Sequence, residues 1–192
     1  MSVVLEGPDN SGKTSLARAL CSAVQDCEYF HAGGPPADLE AEIRCLAHQD
    51  HLVARRVLVV DRCTSISQSV YNPNEYLDPW RKEFRSRMIT AGAVVVYCRP
   101  GTDWLLRTQD LSWRENEPDE LKQKIVRNQH TYVERYDQLM SQVQHLSYDF
   151  QDSTHTLLAE KLSLYLKGDS AAEQWLHRCM QYSRQTVRGE PT

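Results

Sequence analysis

Gly7-Pro8-Asp9-Asn10-Ser11-Gly12-Lys13-Thr14 fits the pattern G-x-x-x-x-G-K-[ST] at every position, and the residues on either side of it decide the fold. Before it stands Ser2-Val3-Val4-Leu5-Glu6, a short β-branched run with a hydrophobic middle that reads as a buried strand. After it, Leu16, Ala19, Leu20 and Ala23 recur at helical spacing from Lys13 to about Val24. The two glycines let the backbone curl so that successive N–H groups face inward. The N-terminus of the following helix adds partial positive charge. Such a loop cradles phosphate. The candidate nucleotide-binding residues are therefore Gly7, Pro8, Asp9, Asn10, Ser11, Gly12, Lys13, Thr14 and Ser15. In this arrangement Lys13 reaches the β- and γ-phosphates of ATP, and the Thr14 hydroxyl ligates Mg²⁺.

Strand and helix patterns alternate along the rest of the chain. Residues 27–31 read as a second strand, closed by Gly33-Gly34-Pro35-Pro36, and 37–53 as a helix with Leu39, Ile43, Leu46 and Ala47 on one face. Residues 57–61 are four apolar positions ending in Asp61, with no alternation, as expected of a strand covered on both faces. A loop from Arg62 runs into a short helix, 71–79 reads as a loop, and 80–91 as a helix stopped by Gly92. Residues 93–98 are the next buried strand. A brief helix covers 103–108, and Pro118 suits the first turn of a long helix from Asp119 to about Val143. Residues 145–149 form a modest last strand, and 153–166 an amphipathic helix with Ser153 as its N-cap. The alternation predicts a parallel α/β sheet wrapped on both sides, with its site outside the carboxyl ends of the strands. Domain limits follow: a P-loop domain over 1–167 with a lid at about 107–120, and an extension over 168–192.

At 192 residues, with 41% hydrophobic and 25% charged positions, the chain suits one soluble domain with a full core. A net charge of −4 argues against a wholly basic nucleic-acid binder. The balance is uneven: residues 1–80 carry 6 Lys and Arg against 11 Asp and Glu, whereas 81–135 carry 11 against 8. An anionic substrate would be met in that middle segment, unless its cations are only a solvated helical surface. Six cysteines show no CxxC pair and no zinc-ligand spacing. No apolar run approaches 18 residues and no leader precedes the first strand, which predicts a cytoplasmic protein with reduced thiols and no membrane partner.

Asp61 ends its strand beside the phosphate loop, the usual place of the second Mg²⁺ holder, although a strand-end Asp can also cap the next helix. Arg62 follows, aimed at an anionic acceptor. The run from Leu5 to Thr14 and the pair Asp61-Arg62, with Ser65, Ser67 and Tyr71 downstream, resemble the thymidylate kinase family over roughly residues 2–166. The resemblance implies a P-loop kinase three-layer sandwich with a five-stranded parallel sheet in the order 2-3-1-4-5. It also implies that Asp9 faces the acceptor sugar, Arg62 its phosphate, and Tyr71 its base or sugar. The chain departs from that family where His31-Ala32-Gly33-Gly34-Pro35-Pro36 replaces an Arg-Glu-Pro-Gly-Gly stretch. It departs again where Cys63 replaces an aromatic residue, and in a one-residue shift of the Ser and Tyr spacing.

In these departures it resembles the small viral members of the family, whose setting would be the host cytoplasm. Some phosphorylate free nucleotides; others phosphorylate the hydroxymethyl group of 5-hydroxymethyluracil within phage DNA. The resemblance thus implies an ATP- and Mg²⁺-dependent kinase for a pyrimidine deoxynucleotide, free or within DNA. A monophosphate acceptor needs charge neutralisation, whereas an alcohol must lose a proton, for which Asp9, Asp61 and more weakly His31 are placed. Arg107 and Arg114, and after them Arg99, are candidate lid arginines for charge on the transferring phosphoryl group. Trp113 could stack on a base or anchor the lid, and Asp149-Phe150-Gln151-Asp152 stands where related kinases pass the adenine. The tail could dock on the domain, form a homodimer contact or touch DNA. A nucleotide-driven switch with no acceptor is the third reading, although no Asn-Lys-x-Asp guanine signature occurs.

Overall fold

The structure is a computed structural model, which describes residues 1–33, 35–53, 57–105, 119–152 and 155–188. Five parallel strands form one sheet: β1 (Ser2–Glu6), β2 (Glu28–His31), β3 (Leu58–Asp61), β4 (Val94–Cys98) and β5 (Leu146–Tyr148), in the spatial order β2-β3-β1-β4-β5. β1 lies at the centre, pairing Ser2 with Leu58 on one side and Val3 with Val94 on the other. This is the expected architecture and strand order.

Side chains of a strand alternate between faces, and here both faces are buried. Val3 and Leu5, with Val59, Val94 and Val96, pack beneath α1 (Lys13–Ala23), α7 (His155–Leu166) and α8 (Ser170–Arg188). Val4, with Leu58, Val60, Val95 and Tyr97, packs beneath α2 (Leu39–Val53), α3 (Thr64–Tyr71), α4 (Asp78–Thr90) and α6 (Asp119–Met140). The unbroken apolar runs of β1, β3 and β4 follow from this double cover. The tail contributes to it: Ala172, Leu176 and Met180 of α8 are buried in the same core as Leu158 and Leu162 of α7. Leu162 and Leu176 expose no surface, and each such burial is worth roughly 2 kcal/mol.

Some boundaries differ from the sequence reading, for local reasons. α4 starts at Asp78, because Pro79 occupies its first turn, where a missing N–H costs nothing. α3 begins at Thr64, with only two residues between it and the end of β3, so the expected loop after Asp61 is a tight corner. A short helix α5 (Thr102–Leu105) follows β4. Most of the expected lid, the expected cap Ser153 and the chain's last four residues lie outside the described residues.

Candidate phosphoryl-transfer site

The loop between β1 and α1 emerges at the carboxyl edge of the sheet. Gly7 adopts φ 146°, and a Cβ there would lie 2.2 Å from the Cys98 carbonyl oxygen at the end of β4, so only glycine fits. Gly12 turns the chain into α1 at φ 82°, and Phe150 packs against it, 2.8 Å from where a Cβ would stand. Trp104 of α5 donates its indole N–H to the Asn10 carbonyl at 3.1 Å and meets Phe150 edge-on. The loops after β4 and β5 thus brace the phosphate loop from outside, through residues with no motif to mark them.

Lys13 Nζ is buried in the curl of the loop, donating to the carbonyls of Gly7 and Pro8 at 2.9 and 2.5 Å and to Ser11 Oγ at 3.0 Å. Burial, and then the charge of Arg62, push its ammonium down to about 8, against the pull of Asp9 and Asp61. The Thr14 hydroxyl donates to Asp61 Oδ2 at 2.7 Å, so the two predicted Mg²⁺ holders stand side by side. Tyr29 donates to the same oxygen at 2.9 Å, and His31 Nδ1 lies 3.6 Å from it. Burial would raise the Asp61 carboxyl, but His31, Lys13, Thr14 and Tyr29 together hold it below its ordinary range. Asp61 Oδ1 is buried and has no hydrogen-bond partner among the described residues. An orphaned carboxylate oxygen beside a hydroxyl fits a hard divalent cation that takes its other ligands from water and phosphate. Among the described residues no cluster of three or more His, Cys, Asp or Glu able to hold a metal occurs.

Arg62 occupies the left-handed region at φ 74°. Its guanidinium pairs with Asp9, donates to Tyr71 Oη at 3.1 Å and Tyr136 Oη at 3.4 Å, and lies 5.1 Å above the Tyr71 ring. Tyr71 in turn donates to the other Asp9 oxygen at 2.8 Å. Burial acts to raise the Asp9 carboxyl, and Arg62, Lys13 and Tyr71 overcome it, leaving Asp9 below its ordinary range. Beneath them Glu6, fully buried at the end of β1, accepts from the Cys63 N–H, from Ser67 Oγ and, at 3.1 Å, from Tyr136 Oη. Burial first of all raises the Glu6 carboxyl.

The unusual backbone of Arg62 is held from α2. Gln49, itself buried, donates Nε2 to the Arg62 carbonyl at 3.3 Å and accepts the Thr64 N–H at 2.9 Å. Gln49→Leu leaves both backbone groups unpaired, at about 1–3 kcal/mol each, and frees Arg62 to relax out of its left-handed turn. The expected result is a rise of tenfold or more in the KM of the phosphoryl acceptor with the KM of the phosphoryl donor unchanged. An equal rise in both constants would show that Gln49 supports only the fold.

A cavity of about 500 Å³ joins these parts. Asp9, Asn10, Ser11, Gly12, Lys13, Thr14 and Ser15 line one portion of it, with Asp61 and His31 beside them. Arg62, Gln68, Tyr71, Asn72, Lys124 and Tyr132 also line it. Gly7 and Pro8 are not among the residues lining it, and their carbonyls accept from Lys13 Nζ. Arg107, Arg114 and Trp113 lie outside the described residues. Arg99 is engaged elsewhere, with two hydrogen bonds to Asp137 at 2.9 and 3.0 Å. Gln49, Gln68, Asn72, Tyr132 and Glu6 join the site with no contiguous signal to announce them; a lone charge closing an apolar strand is the one sign that could have marked Glu6.

No protein-family model matches the chain, and no curated protein matches it in sequence. Among solved structures it is similar to the YorR protein of Bacillus subtilis, solved in complex with phosphorylated GDP. The TM-score is 0.62 at 17% identity, covering 87% of this chain and 96% of that one. Shikimate kinase from Acinetobacter baumannii, solved with shikimate, matches at a TM-score of 0.45 and 19% identity, covering 88% and 94%. The likeness to YorR, with the strand order and the phosphate loop, gives the chain the P-loop kinase fold. Among the described residues no helix is long and apolar enough to cross a membrane.

Proposed function

We propose that this chain transfers the γ-phosphoryl group of ATP to the phosphate of a pyrimidine deoxynucleoside monophosphate, thymidylate or a close analogue. One observation carries the reading: the phosphate loop and the Arg62–Tyr71 end line the same cavity. Donor and acceptor subsites therefore share one space. Lys13 neutralises charge on the donor oxygens, and Arg62, fixed by Asp9 and Tyr71, presents a cation to the acceptor. Tyr71 and Tyr132, with ring centroids 4.6 Å apart, form an aromatic wall for a base or sugar. Gln68 lines the cavity with a buried carboxamide oxygen that has no partner among the described residues, a match for an N–H donor such as a pyrimidine imide. Bound at Thr14 and Asp61, Mg²⁺ would offset negative charge on the phosphates. Phosphoryl transfer asks chiefly for positioning and charge. A phosphate acceptor needs no base, which suits two carboxylates, Asp9 and Asp61, that are both held acidic.

A second acceptor is favoured by His31. Its imidazole stands 3.6 Å from Asp61 and lines the cavity, as a base for an alcohol would. That acceptor is the hydroxymethyl group of a modified pyrimidine within DNA.

The deciding experiment supplies Mg-ATP labelled at the γ-phosphate to three acceptors in parallel. These are free pyrimidine deoxynucleotides, a guanine nucleotide suggested by the ligand of YorR, and an oligonucleotide containing 5-hydroxymethyluracil. Label on thymidylate or its 5-hydroxymethyl analogue is the expected result. Label on the oligonucleotide alone replaces this reading with the second. Hydrolysis without transfer to any of them overturns both and leaves a nucleotide-driven switch.

A further inference from the structure

We propose that Cys21 and Cys27 form a reversible dithiol–disulfide site, outside the cavity and independent of the acceptor's identity. Their sulfurs lie 3.4 Å apart. A small side-chain rotation closes that gap to the S–S bond length of about 2.05 Å. The approach is built into the backbone: Cys21 lies in the last turns of α1, and Cys27 immediately precedes β2. Between them the chain reverses through Asp26, which adopts φ 58°. Both thiols are half-buried, within reach of a small reagent, whereas Cys63 and Cys98 are buried.

The co-reactant is a small-molecule disulfide such as glutathione disulfide. Burial, and then the neighbouring Cys21 thiol, push the Cys27 thiol up, which disfavours it as the first nucleophile. The Cys21 thiolate displaces one thiolate from the reagent, giving a mixed disulfide. Cys27 then gives up its proton, attacks the Cys21 sulfur and releases the second reagent thiolate. The chain loses two electrons and two protons, and the reagent becomes two thiols. The bond ties the helix that carries the phosphate loop to the strand that carries Tyr29 and His31 against Asp61.

The test uses the full native chain, incubated with glutathione disulfide for minutes to hours, the timescale of uncatalysed exchange. Remaining thiols are then alkylated and the chain is cut with trypsin. The fragment between Arg18 and Arg44 contains Cys21, Cys27 and no other cysteine. It is expected to be lighter by two hydrogen atoms than its reduced form and to carry no alkyl group, and dithiothreitol should restore both thiols. The oxidised chain should melt about 5 °C higher than the reduced one, since a short loop of the unfolded chain is closed. A doubly alkylated fragment, or one that stops at a glutathione adduct, overturns the proposal. Cys27→Ser provides the check: an oxidised chain that still melts higher without Cys27 would trace the effect to another pair and also overturn it.

Discussion

Lys13→Ala should lower the rate of phosphoryl transfer by about a hundredfold to a thousandfold while circular dichroism and chain compactness stay those of the parent. Removing one preorganised charge-stabilising group from a transition state typically costs a factor of about 10²–10³ in kcat, and Lys13 is the cation enclosed by the phosphate loop itself. Its three hydrogen bonds to the loop are also lost, so ATP affinity should fall too. Lys13→Met serves as the control that keeps the hydrophobic stem. Single-turnover kinetics at saturating Mg-ATP separate the chemical step from binding. Turnover within tenfold of the parent in both variants would overturn the assignment of the loop.

The second large effect lies away from the phosphate. Arg81 has no exposed surface, and its guanidinium forms a two-pronged pair with Glu42, Nε to Oε1 at 2.7 Å and a terminal nitrogen to Oε2 at 3.0 Å. A further N–H donates to the Asn72 carbonyl at 3.1 Å. Arg81→Ala strands the Glu42 carboxylate in the interior between α2 and α4, at about 3–5 kcal/mol. For a chain of this size that lowers the melting temperature by roughly 10–15 °C. Replacing both partners with apolar residues, Glu42→Leu with Arg81→Met, should recover most of that loss, because a buried pair is costly to break and cheap to replace. Differential scanning calorimetry on the single and double variants decides this. A double variant as unstable as the single one would show that the contact with Asn72, not the pair, is what matters.

These two residues mark the limits of what the sequence discloses. Lys13 was legible because everything it needs is contiguous: a strand before it, two glycines around the curl and a helix after it. Asp61 was legible for a similar reason, since a charge closing an apolar strand has few uses. Arg81 was not. In the string it is one of several cations on a polar helix, in the segment whose charge balance suggested an anionic substrate. Its burial depends on Glu42, which lies 39 positions earlier on another helix. Gln49 and Tyr136 were hidden by the same physics, since their roles arise only when α2 and α6 are laid over the sheet. The strand order came from resemblance rather than periodicity, because a continuous apolar run identifies a buried strand without naming its neighbours.

The central position of the first strand bears on how the protein is made. β1 leaves the ribosome before both of its partners, Leu58 and the residues after it on one edge and Val94 and the residues after it on the other. At roughly 5–20 residues per second, both edges of an apolar strand stay open for several seconds, a bare template for mispairing with other nascent chains. Gly7 rests against the Cys98 carbonyl, so the phosphate loop has no floor until β4 has been added. Nascent chains that stop short of Cys98 should therefore hold no ATP and lean on chaperones, and ligand binding can select only chains that have passed that point.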